Sequence, residues 1–116
     1  MADPAAAEAM AKRAAAEFGG VDILVNNAAL MAEIPFSSAG TFPVEWWDRV
    51  MQVDVRGALV CARACAPYML DRGHGPIIKQ ASGGAFIGGG VYSATKLALI
   101  SLTMTLASEL GPRAST

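Results

Sequence analysis

The sequence predicts an α/β fold in which two parallel strands alternate with three helices, in the order helix, strand, helix, strand, helix. Three observations predict it. Two short runs, residues 21 to 25 and 76 to 81, each follow a glycine and have the length of strands, the first of them apolar enough to be buried. A long stretch between them repeats its apolar residues at helical spacing. Strands joined through a helix of that length pair in parallel, by a right-handed crossover.

Residues 4 to 18 are alanine-rich, with Asp3 as N-cap, Pro4 at the first helical position and Gly19-Gly20 as the stop. The run VDILV follows as a strand expected to be buried on both faces, and Asn26-Asn27-Ala28-Ala29 ends it. Residues 30 to 42 mix Pro35, Ser37, Ser38 and Gly40 without periodicity and read as a site-sized loop, with Met31, Ile34, Pro35 and Phe36 as a candidate apolar wall. The second helix opens at Thr41 or Pro43. Its stripe runs Trp47, Val50, Met51, Asp54, Ala58, Cys61, Ala62 and Cys65, with Pro67 as a kink or an early end. A DRGHG turn leads to the second strand, PIIKQA, then a Gly-rich stretch from Gly83 to Gly90. The third helix runs from Tyr92 to about Leu110, where Gly111-Pro112 stops it.

Composition removes several functional classes. The 116 residues are 53% hydrophobic and 16% charged with a formal charge of −1, which suits one folded domain and argues against disorder. No basic face is present to hold a nucleic acid. No apolar run approaches the roughly 20 residues of a membrane span, and no export signal is readable, so a cytoplasmic setting is expected. Cys61 and Cys65 lack further ligands for a metal and read as buried thiols. His74, in a turn, is not expected to be a ligand. Two parallel strands leave unpaired edges, so residues 1 to 116 read as part of a larger sheet.

The residues that carry chemistry are Ser82 and the segment Tyr92-Ser-Ala-Thr-Lys96. Tyr92 and Lys96 are four apart and share a helical face. An unperturbed phenol titrates near pH 10, about three units too high for acid–base work at neutrality; a cation and a helix N-terminus beside it both favour the phenolate. Ser82 ends the preceding strand, where its hydroxyl can reach a substrate oxygen. A tyrosine and lysine at this spacing are, alone, more often a surface pair.

With GGVDILVNNAA, the helix beginning near WWDRV, GPIIKQAS and YSATKLALISLTMTLASEL, the chain resembles the short-chain dehydrogenase/reductase family over nearly its whole length. The resemblance implies a Rossmann-like doubly wound parallel sheet, here only its central helix-strand-helix-strand-helix portion. It implies reversible hydride transfer between NAD or NADP and a small alcohol or carbonyl substrate. Tyr92 matches the acid/base tyrosine, Lys96 the lysine that assists it and binds the nicotinamide ribose, and Ser82 the serine that orients the substrate oxygen. Asn27 and Ala28 match residues lining the cofactor ribose and tying this strand to its neighbour. A homo-oligomer built through the second and third helices is implied as well.

Several departures qualify this. The family's TGxxxGxG turn and first strands have no counterpart here, nor do the strands after the third helix, so the residues are expected to be inactive alone; the alternative is a non-catalytic module that self-associates through its helices. Asp54 stands where the family usually has asparagine. On the apolar stripe its charge is costly, so it is expected to pair with Lys96 or to hold its proton unusually well, unless the residue is simply exposed. Ser82 and Tyr92 are ten positions apart, closer than in much of the family, and Ala29 replaces a common glycine. Gly84 to Gly90 also has GxxxGxG spacing, but the tyrosine helix follows it at once, which favours flexible backbone over a phosphate cradle.

Overall fold

The computed structural model describes residues 2–32, 38–88 and 90–113. Helix α1 (Pro4–Phe18) starts where Asp3 accepts the Ala5 N–H, and stops at Gly19, whose φ of 82° suits a residue without a side chain. Strand β1 is Leu24–Asn26, and strand β2 is Ile77–Lys79. They pair in parallel, Leu24 opposite Ile77 and Asn26 opposite Lys79.

Between them lie three helical pieces in series: α2 (Val44–Met51), a π turn at Gln52–Arg56, and α3 (Gly57–Arg72). After β2 come a 3-10 turn at Gly83–Phe86, helix α4 (Val91–Leu110) and a last 3-10 turn at Gly111–Arg113.

The core lies on one face of the strand pair. Ala7 and Ala11 of α1 pack against Val60, Cys61, Ala64, Cys65 and Met69 of α3, and Leu24 and Ile77 close it from the sheet. Alanine and cysteine at these positions let the two helices approach closely. Val25 and Ile78, register partners on the opposite face, are 58% and 49% exposed. The expectation of a strand buried on both faces is therefore corrected: among the described residues helices cover one side, and β1 is paired over three residues rather than five.

Pro67 does not end the second helix, which continues to Arg72. Arg63, the residue whose carbonyl loses its N–H partner to the proline ring, lies with Pro67 on the exposed side of α3, where water can take that bond. The stop comes instead at Gly73, with φ 78°. Asp71 and Arg72 of the expected turn thus belong to the helix. Arg72 then pairs with Asp22 and donates to the Gly19 carbonyl, pinning the end of α3 to the approach of β1.

Candidate active site

Both strands run out at the same end, and the candidate residues gather there. The Gln80 N–H donates to the Asn26 carbonyl at 3.0 Å, so the strand pair is zipped up to the residues that lead into Asn27-Ala28 on one side and Ala81-Ser82 on the other. The crevice beyond the carboxyl ends of parallel strands is where open α/β sheets bind ligands. Asn27 and Ala28 are exposed at its edge. The neighbouring Asn26 anchors β1 to α3, its side-chain amide donating to the Ala58 carbonyl at 3.4 Å.

Helix α4 brings in Tyr92 and Lys96. Lys96 is 3% exposed, and its ammonium donates to the Gln80 carbonyl at 2.8 Å and stands 5.4 Å from the centre of the Tyr92 ring. A buried lysine needs such an acceptor, and the end of β2 supplies it. Tyr92, in the first turn of the helix, is partly exposed. A surface pair is thereby excluded for these two residues.

Ser82 caps the 3-10 turn, accepting the Gly84 N–H at 3.1 Å. The Ser93 hydroxyl donates to the Gly84 carbonyl at 2.7 Å, fastening the turn to the start of α4. The turn takes up the shortened connection and keeps the Ser82 segment against the tyrosine helix. Of the stretch with GxxxGxG spacing, Gly84–Phe86 belongs to the 3-10 turn, and Gly89 lies outside the described residues. Ile34, Pro35 and Phe36 of the expected apolar wall also lie outside the described residues, and Met31 is exposed.

Asp54, in the π turn, is 1% exposed, so the reading of an exposed aspartate is corrected. A π turn widens the helix by one residue and often marks a functional site; here it turns the carboxyl inward. Asp54 accepts the Leu30 N–H at 2.8 Å through Oδ1, and its Oδ2 lies 3.3 Å from the Thr95 hydroxyl. Lys96 acts on it through charge but is hydrogen-bonded elsewhere, to Gln80. Of the two outcomes expected for a buried Asp54, direct pairing with Lys96 is therefore not the one found. Burial pushes its carboxyl above the ordinary aspartate range, and the Leu30 N–H, the Thr95 hydroxyl and the Lys96 charge pull it partly back.

Thr95 and Leu30 were not singled out from sequence. The signal for Thr95 was its place between Tyr92 and Lys96; nothing local marks Leu30.

Two features lie apart from this site. Cys61 and Cys65 are buried and free, and burial with Cys61 alongside pushes the Cys65 thiol up, as expected of inert core thiols. An apolar cavity of about 220 Å³ opens between the far ends of α3 and α4, with Met69, Ile77 and Leu106 on its walls and Lys79, whose ammonium burial disfavours, among them.

Comparison with known proteins agrees with this architecture. The short chain dehydrogenase family matches residues 1–114. An uncharacterized oxidoreductase of Mycobacterium tuberculosis is 39% identical over 111 residues, which cover 96% of this chain and 45% of that protein. The crystal structure of 3-ketoacyl-(acyl-carrier-protein) reductase from Brucella melitensis complexed with NADH superposes with a TM-score of 0.88 at 34% identity, covering 97% of this chain and 48% of that one. A gluconate 5-dehydrogenase from Burkholderia cenocepacia, solved with NADP and tartrate, gives 0.88 at 30% identity, covering 97% and 44%. The chain spans about half the length of these proteins or less. Its sequence, its strand pairing and the end of the sheet where its polar residues gather all point the same way: the chain belongs to the short-chain dehydrogenase family.

Proposed function

We propose that these residues form the proton-transfer part of an NAD(P)-dependent oxidoreductase acting on a small alcohol or carbonyl compound. The observation that carries this is Lys96, an ammonium buried in the crevice beside the Tyr92 ring, 5.4 Å from its centre. Tyr92 gives or takes the proton at the reacting oxygen. Lys96 holds positive charge next to the phenol while that proton moves, and Ser82, whose own proton is not used in capping the Gly84 N–H, donates to the same oxygen.

The donor set fits a nicotinamide ribose. An ammonium has three N–H groups; among the described residues Lys96 gives one to Gln80, and the other two would serve acceptors such as sugar hydroxyls. Lys96 and Tyr92 would hold the ribose from α4, and Asn27 and Ala28 from the end of β1. The bound nicotinamide supplies or accepts the hydride.

Among the described residues nothing cradles a pyrophosphate, so taken alone these 116 residues are proposed to bind nucleotide weakly and to turn over poorly, because binding lost at the remote end is lost to catalysis too. The test is a chimera in which they replace the matching segment of the Brucella melitensis reductase. Carbonyl-dependent NADH oxidation is expected, and Tyr92→Phe should lower it at least about 100-fold while NADH fluorescence still reports binding. A Tyr92→Phe chimera as active as its parent would sink the proposal.

A second reading, self-association without catalysis, draws on exposed apolar side chains: Val25 and Ile78 on the bare sheet face, and Leu97 and Met104 on α4. It is read by sedimentation rather than by turnover.

A further inference from the structure

We propose that Asp54 is a positioning residue whose proton decides which of two segments it grips: ionised, it holds the loop after β1 through Leu30; protonated, it holds the first turn of α4 through Thr95. The proposal deepens the function above and rests on it only for what the grip serves.

The geometry begins with Thr95, which has no exposed surface. Its hydroxyl carries one proton and faces two acceptors, the Tyr92 carbonyl at 2.7 Å and Asp54 Oδ2 at 3.3 Å. The nearer acceptor takes most of that proton. Ionised Asp54 is thus well bonded at Oδ1, by the Leu30 N–H at 2.8 Å, and poorly bonded at Oδ2.

A proton arriving from solvent on Oδ2 resolves the competition. The carboxyl O–H donates to Thr95 Oγ1, and Thr95 gives its own proton wholly to the Tyr92 carbonyl. A continuous chain of donors then runs from the π turn into the first turn of α4. At the same time Oδ1 changes from half of a carboxylate into a neutral carbonyl, a weaker acceptor for the Leu30 N–H. One side of the site tightens as the other loosens.

The two segments are those proposed for function. Leu30 follows Asn27-Ala28-Ala29, and Thr95 stands between Tyr92 and Lys96. Of the charged groups on elements packed against the π turn, Lys96 of α4 acts on Asp54 and favours its ionised form; Tyr92 stands one turn before it on the same helix. Glu45, Asp48 and Arg49 of α2 are exposed, as is Arg56 on the turn itself, which donates to the Ala2 carbonyl. Burial raises Asp54 above the ordinary aspartate range, which moves the exchange toward neutral pH.

The experiment is an NMR pH titration of the labelled chain, following the Asp54 side-chain carbon and the Leu30 amide; it needs neither nucleotide nor turnover, so its failure is separate from failure of the proposed function. The Leu30 amide proton should move upfield as pH falls, with the midpoint of the Asp54 carboxyl, and Asp54→Asn should flatten that curve. The Thr95 β-carbon, followed in the same sample, should move with that midpoint as the carboxyl O–H reaches its hydroxyl. A Leu30 curve that ignores the Asp54 midpoint overturns the proposal, and so does a Thr95 curve that ignores it.

Discussion

A carboxyl with 1% of its surface exposed makes stability depend on pH in a direction opposite to the usual aspartate. Because burial holds Asp54 above its ordinary range, there is a window in which the folded chain keeps a proton the unfolded chain has lost. Stability therefore rises as pH falls through that window, and above it the full cost of the buried charge is carried. Asp54→Asn removes the titration and keeps an acceptor for the Leu30 N–H. It should stabilise the chain at neutral pH, and the gain should shrink as pH is lowered through the window; melting curves at several pH values check both. A variant less stable than the parent at neutral pH would show that the ionised form is the one the fold prefers.

At the scale of elements, Pro67 is the clearest local conflict. It sits inside α3 without breaking it, at a helix-interior cost of about 3 kcal/mol relative to alanine. Part of that is returned because proline also restricts the unfolded chain, by about 0.4–1 kcal/mol. Pro67→Ala should stabilise the chain by about 2 kcal/mol, read as a higher denaturant midpoint with an unchanged slope. From sequence Pro67 reads as a kink or an early end, and the second of these is not what the chain does: α3 runs on to Arg72. What rescues the helix is that Arg63 and Pro67 both face outward, and facing is settled by packing against α1. The π turn was equally hidden, because five helical residues read alike whether their hydrogen bonds span four positions or five. The caps Asp3 and Gly19, by contrast, were legible, since they depend on neighbours within one turn.

The whole molecule is elongated, 46 × 26 × 18 Å, with a radius of gyration of 15.4 Å where a compact chain of this length would have about 13 Å. Two features account for this: a two-stranded sheet with one covered face, and an α4 whose buried residues stop at Leu99 although the helix reaches Leu110. The exposed apolar surface should make the chain associate as concentration rises. Ile78→Glu places a charge on the bare face opposite Val25 and should shift sedimentation toward monomer. An unaltered chain that stays monomeric at high micromolar concentration would remove the self-association reading.

The sequence by itself determined the order of elements, the parallel pairing, the family, and the identities of Ser82, Asp54, Tyr92 and Lys96 as candidates. Each of these is written in short-range spacing or in motifs that stand in a fixed order along the chain. Only the tertiary structure decided that Lys96 is held by Gln80 rather than by Asp54, that Leu30 and Thr95 share the buried carboxyl, and that one face of the sheet is open. Those contacts join residues up to 41 positions apart. Hydrogen-bond partners and burial at such separations depend on how helices pack across the strands, which local propensity does not encode.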